Sequence, residues 1–215
     1  MMAVGAAGVF LCLLYRRKRF GLRAWQCLAF SLLAVAIAFL GAKILHALEN
    51  WERILQDGFS WGGVSLFGSV FLIPLLTPLV GRLFGLRPSQ STDICGPCAA
   101  VMLGFVRAGC HFGGCCGGWL MQLGKHSFHW PTQIVESVGA FAILGLLLQL
   151  EEDGTHVGKL YPLFMIAYGG LRFVVEFFRD TAKPWLYLGH GQWFALAAIL
   201  IGILWMKNIE VKNND

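Results

Sequence analysis

Seven stretches of the chain are apolar at nearly every position, roughly residues 1–15, 25–48, 62–82, 93–110, 132–150, 160–178 and 190–206. A surface helix of a soluble domain alternates apolar and polar faces with a 3.6-residue period. These segments show no polar face, so a helix in each suits a surround of lipid. The pattern predicts an all-α, polytopic integral membrane protein with about seven transmembrane helices. At 1.5 Å per residue the first segment covers only about 22 Å, so its flanks must snorkel or the bilayer must thin. No repeat and no long linker interrupts the pattern, and a single helical transmembrane domain over 1–215 is expected.

Composition supports this reading. Of the 215 residues, 57% are hydrophobic and 13% charged, against about 25% charged in an ordinary soluble domain. The net charge of +5 raises the question of nucleic acid. Its placement answers it, because Arg16, Arg17, Lys18, Arg19 and Arg23 follow directly on an apolar segment. That is the position of a topology signal, and no soluble face is left to display a basic patch. Nucleic acid is therefore not an expected partner. Met1–Tyr15 carries its charges after the apolar run, the reverse of a secretory signal peptide. Reading it as a span places the N-terminus outside and, after seven crossings, the C-terminus in the cytoplasm. Arg82, Arg87, Lys159, Lys207 and Lys212 then join the basic cluster inside, whereas the outer side has Arg53, Lys125, Arg179 and Lys183.

Ionisable groups within spans cost at least ~2.5 kcal/mol each and need a reason. Arg107 lies near the outer end of the fourth segment; Arg172 and Glu176, four residues apart, share a face of the sixth. Either Arg172 and Glu176 pair locally while Arg107 snorkels outward, or the three form an electropositive pocket. Two guanidinium forks against one carboxylate suit a phosphate, which in this setting belongs to a phospholipid head group. Five glycines in 109–118, Gly109 and Gly114 among them, would let backbone approach such a ligand.

Five blocks, in order, carry a family resemblance. They are Gly62-Gly63-Val64-Ser65-Leu66-Phe67-Gly68, Arg107-Ala108-Gly109-Cys110 running on to Gly118, Pro131-Thr132-Gln133-Ile134-Val135-Glu136-Ser137, Leu171-Arg172-Phe173-Val174-Val175-Glu176-Phe177-Phe178-Arg179, and Gly191-Gln192-Trp193. Over roughly residues 25–206 the chain resembles the prolipoprotein diacylglyceryl transferases of the bacterial inner (plasma) membrane. The resemblance implies transfer of a diacylglyceryl group from phosphatidylglycerol to a cysteine thiol of a membrane-anchored peptide or lipoprotein acceptor, without a cofactor. It implies that Arg107 and Arg172 bind the lipid phosphate, that Glu176 holds Arg172, and that Gly63, Ser65, Gly109, Gly114, Gln133 and Glu136 border the lipid. The chain also departs from the family. Phe67 stands where members typically carry histidine, Cys110 and Cys115 replace an asparagine and a glutamate, and Trp130 replaces the histidine before Pro-Thr-Gln, with His129 adjacent. His111 and Glu136 are the nearest substitutes for the lost base.

Seven cysteines fall into three groups. Cys12 and Cys27 sit in apolar surroundings and read as small core residues. Cys95-Gly96-Pro97-Cys98 copies a thioredoxin tetrapeptide, but without a strand before it. Packing at a Gly-Pro helix entry is the expectation there. Cys110, Cys115 and Cys116, with His111, leave three readings open: a disulfide or structural thiols, a catalytic thiol, or a soft-metal site. The last supports a second hypothesis, a non-enzymatic redox or metal-binding membrane protein on the same fold.

Overall fold

The computed structural model describes residues 1–57, 63–123, 126–154, 157–179 and 188–214. Gly62, Lys125 and Lys183 lie outside them. The described residues form α1 (Met2–Phe20), α2 (Ala24–Glu49), α3 (Trp51–Asp57), α4 (Leu66–Leu83), α5 (Pro88–Phe112), β1 (Leu120–Leu123), β2 (His126–His129), α6 (Thr132–Glu152), α7 (Leu160–Glu176) and α8 (His190–Asn214). Each apolar segment coincides with one long helix. Of these, α2, α4, α5, α6 and α8 are long and apolar enough to cross a membrane. Two features go beyond the apolar pattern: the short α3 and an antiparallel hairpin pairing Leu120 with His129.

Helix α5 is the hub, packing against α1, α4, α6 and α7, while α2 pairs with α4 and α7 with α8. Small residues set the closest crossings. A β-carbon at Gly41 of α2 or Gly68 of α4 would run into the other's carbonyl, and one at Gly169 of α7 would lie 2.9 Å from the Ala195 carbonyl of α8. Between helices in lipid, such close backbone approach is a main source of packing energy. Leu28, Leu32, Leu75, Leu79, Leu200 and Leu204 point outward and are exposed, as lipid-facing side chains would be.

Two of the prolines inside helices have their freed carbonyls met from neighbouring helices. A helical proline has no N–H for the carbonyl four residues earlier. Pro74 of α4 thereby frees the Val70 carbonyl, which accepts a hydrogen bond from the Tyr161 hydroxyl at 2.8 Å. Pro97 of α5 frees the Asp93 carbonyl, which accepts from Arg16 Nη2 at 2.9 Å. This accounts for the Cys-Gly-Pro-Cys stretch and corrects its expected place. It lies two turns inside α5, and a β-carbon at Gly96 would meet the Leu160 carbonyl at 2.9 Å.

Arg16 anchors one end of the bundle. Its Nε and Nη2 each donate to Glu151 at 2.6 Å, and Nη1 donates to the Ile94 carbonyl at 3.0 Å. Asp93 accepts from the backbone N–H of Gly158 at 2.5 Å and Leu160 at 3.0 Å. One ion network thus joins the ends of α1, α5, α6 and α7.

Candidate functional site

At the opposite end of α5 a second ion network forms around Glu136 of α6. Arg172 Nη1 donates to Glu136 Oε1 at 3.0 Å, and Arg107 Nε lies 2.9 Å from Oε2. Arg172 then bridges to Glu176 through Nη2 at 2.8 Å, and Arg179 Nη1 approaches the same carboxylate at 4.0 Å. Three helices supply these groups, and Arg107, Glu136, Arg172 and Glu176 are all buried. Arg107 therefore does not snorkel outward.

Glu136 changes the charge balance expected from the sequence. It offsets the surplus of Arg107 and Arg172 over Glu176, and Arg179 restores one positive charge to the group. The carboxylate of Glu176 also abuts Gly191, where a β-carbon would lie 2.9 Å from Oε2. Gly191 stands in the first turn of α8, whose N-terminal dipole favours a nearby anion.

Buried polar groups around this network lack partners. Arg179 Nε and the Gln192 amide nitrogen are buried with no hydrogen bond among the described residues, and the buried Tyr168 hydroxyl faces Arg107 without an aligned hydrogen bond. Arg107 Nε contacts Glu136 by charge, without an aligned hydrogen bond. A buried, unsatisfied donor costs about 1–3 kcal/mol, so several around one charged centre point to a place built for a further polar partner. Gln192 belongs to the Gly191-Gln192-Trp193 block, although no role was attached to it, and Tyr168 was not singled out from the sequence. Tyr168 precedes Arg172 by one helical turn, and that spacing was the available signal.

Tyr168 also connects the polar centre to an aromatic core. Phe67 is buried with its ring centroid 5.9 Å from Tyr168 and 5.7 Å from Phe194. An apolar ring thus fills the place where the resemblance would set an imidazole.

The cysteine loop lies over this end of the bundle. Gln133 Nε2 donates to the Cys115 carbonyl at 2.7 Å and the Thr132 hydroxyl to the Cys116 carbonyl at 3.0 Å. Gln133 therefore ties loop to helix, one turn before Glu136. The hairpin is stitched to the end of α7, with Trp119 N–H donating to the Phe178 carbonyl at 3.1 Å. At Gly118 a β-carbon would collide with that carbonyl. Cys116 adopts φ 61, a left-handed conformation that costs a non-glycine residue about 1–3 kcal/mol. The turn brings together the Sγ atoms of Cys110, Cys115 and Cys116, all within 4.8 Å of one another. A hydrogen bond from Cys110 and the charges of Arg179 and Arg107 pull the Cys116 thiol well below its ordinary value, to about 5.

Other expected residues lie elsewhere. His111 is exposed beside Phe112, outside the thiol group. Ser65 contacts Glu49 of α2 at 3.2 Å, and the Gly63 carbonyl accepts from Lys43 at 3.0 Å. With φ +74 and His46 against its α-carbon, Gly63 serves the α2–α4 approach. The contacts of both residues are with α2. Gly109 packs against Met1, and Gly114 takes φ 64 in the turn before Cys115. An apolar cavity of about 130 Å³ opens nearby, lined by Val64, Leu66, Met102 and Val106 among others.

Comparison with known proteins agrees in one direction. A family model described as prolipoprotein diacylglyceryl transferase matches residues 1–207. A phosphatidylglycerol–prolipoprotein diacylglyceryl transferase 2 of Clostridium perfringens (strain 13 / Type A) is 28% identical, covering 98% of this chain and 89% of the relative. A phosphatidylglycerol–prolipoprotein diacylglyceryl transferase of Clostridium tetani (strain Massachusetts / E88) is 25% identical over 94% of this chain and 88% of its own length. One of the same name from Marinomonas sp. (strain MWYL1) is 27% identical over 94% and 84%.

Proposed function

The chain belongs to the prolipoprotein diacylglyceryl transferase family, and from that premise we propose that it is a membrane transferase. It moves a diacylglyceryl group from phosphatidylglycerol to a cysteine thiol of a prolipoprotein-like acceptor. The observation that carries this reading is the sharing of one carboxylate by two arginines from different helices, at 2.9 and 3.0 Å. Glu136 holds the two guanidinium groups side by side and leaves other N–H groups to meet a phosphate. Arg107 and Arg172 bind the lipid phosphate and stabilise the departing glycerol phosphate. Glu136 and Glu176 position them, and Tyr168 and Gln192 supply further donors. The apolar cavity beside Val64 and Val106 has the lining an acyl chain requires.

The protein works as one helical domain of seven spans in the bacterial inner membrane, with the arginine site near the outer face. Supporting this orientation, Arg17, Lys18, Arg19 and Lys159 all lie at the Arg16 end of the bundle. The test is transfer of labelled diacylglyceryl from phosphatidylglycerol vesicles to a peptide with one lipobox cysteine. Wild type should transfer, and Arg107→Ala and Arg172→Ala should not. Absence of transfer by wild type defeats the reading.

A further inference from the structure

The ion network leaves three thiols unused. Cys110, Cys115 and Cys116 are free, their sulfurs lie within 4.8 Å of one another, and Cys115 and Cys116 are exposed. Adjacent residues in ordinary extended chain aim their side chains apart. The left-handed turn at Cys116 overcomes this and sets neighbouring thiols on one ligand-like cluster.

We propose that these three cysteines bind one zinc ion whose fourth coordination position receives the acceptor's thiol; the second half of this assignment rests on the transferase reading. Zinc held by three protein ligands with one open position is the catalytic arrangement for this metal. A tetrahedral ion with Zn–S of about 2.3 Å wants sulfurs about 3.8 Å apart, a spacing within reach of a cluster whose sulfurs all lie within 4.8 Å of one another. Three thiolates around a divalent ion leave one negative charge, and Arg179 and Arg107 are the cations acting on Cys116. The backbone of the loop is pinned by Thr132 and Gln133, one turn before Glu136. The metal and the arginine pocket would therefore share a rigid base.

The site meets a chemical need that the described residues leave open. His111 is exposed and outside the thiol group, and Phe67 lies in an aromatic core. His129 packs against Gly117 beside the loop, but its Nδ1 lies 3.0 Å from the Gly118 carbonyl, and among the described residues no imidazole nitrogen joins the thiol group. A thiol that coordinates zinc is deprotonated outright. Its proton passes to water, and the zinc-bound sulfur attacks the glyceryl carbon joined to the phosphate oxygen. A C–S bond forms as the C–O bond breaks, and its electron pair departs with glycerol phosphate. The thioether is a weak ligand and releases the metal. No oxidant or reductant is needed.

The test uses full-length protein in phosphatidylglycerol nanodiscs, with zinc measured by elemental mass spectrometry and Co²⁺ as a spectroscopic substitute. One zinc per chain is expected, with affinity at least tenfold weaker in Cys110→Ser and Cys116→Ser. A single-cysteine peptide should strengthen the sulfur-to-cobalt charge-transfer band, and its serine counterpart should not. Substoichiometric zinc, undiminished zinc in Cys116→Ser, or a disulfide among the three cysteines overturns the site. A cobalt spectrum indifferent to the peptide thiol overturns its role in activation. Bound zinc that responds to the peptide, in a protein that transfers no lipid, supports the site and defeats the transferase reading alone.

Discussion

The two ion networks lie at opposite ends of the α5–α6 pair, roughly 20 Å apart at 1.5 Å per residue, and use the same groups in different ways. At the Arg16 end, one guanidinium forks Glu151 with two 2.6 Å contacts and spends its remaining nitrogen capacity on carbonyls of α5. None of its buried atoms lacks a partner among the described residues. At the Arg107 end, two arginines share one carboxylate, and Tyr168, Arg179 and Gln192 keep unpaired buried nitrogen or oxygen atoms. A closed network holds helices together. An open one carries a standing cost that binding of a polar ligand can relieve.

This contrast can be broken by substitution at either end. The largest effect on folding is expected for Arg16→Gln, which leaves Glu151 only the half-exposed Arg19 at 3.9 Å and should destabilise by about 3–5 kcal/mol. Thermal unfolding in detergent reads that loss, while transfer per folded molecule should be unchanged. The converse holds for Arg107→Gln. Its transfer rate should fall by about 10²–10³, the range for removing a donor to a developing anion, with a smaller stability change because Arg172 still partners Glu136. If Arg107→Gln unfolds the protein as readily as Arg16→Gln, the two ends are equivalent and the contrast fails.

Smaller changes sharpen the same point. Gly191→Ala places a methyl group against Glu176 and should shift the Arg172 fork. A roughly tenfold drop in transfer is expected, equal to about 1.4 kcal/mol, read as a kinetic change at nearly constant melting temperature. The least effect should come from Ser137→Ala, which removes a 2.8 Å hydrogen bond from Ser137 to the Gly104 carbonyl between α6 and α5. Such bonds in membrane proteins average about 0.6 kcal/mol. A denaturation midpoint and a transfer assay should both stay close to wild type.

Much of the fold was legible because its cause is local. Apolar runs are helices wherever lipid replaces water, since a backbone without water must satisfy its own hydrogen bonds. The hairpin at 120–129 was not legible in this way. Its strands are held by β-pairing and by Trp119 reaching the end of α7, and no apolar alternation marks them. The site was partly legible. Arg107, Arg172 and Glu176 stand out as charges in apolar surroundings, and Glu136 and Gln133 as polar residues sharing a helix face. Tyr168 did not stand out and Gln192 was named only within a motif block, because a phenol or an amide in a span signals no role until its neighbours are known. Gly63 and Ser65 show the converse: a glycine block near a helix start fits a ligand and a tight helix crossing equally well, and the contacts seen here are with α2.

Composition and periodicity alone determined that this chain is helical and suited to a membrane, and they marked which charges are costly enough to require a purpose. Only the tertiary structure decided that Glu136 joins the arginines, that Arg16 takes the carbonyl freed by Pro97, and that three thiols meet above the charged pocket. Burial cost is a property of one residue in its segment. Partner choice depends on distances between segments, and those exist only once α5, α6 and α7 have packed.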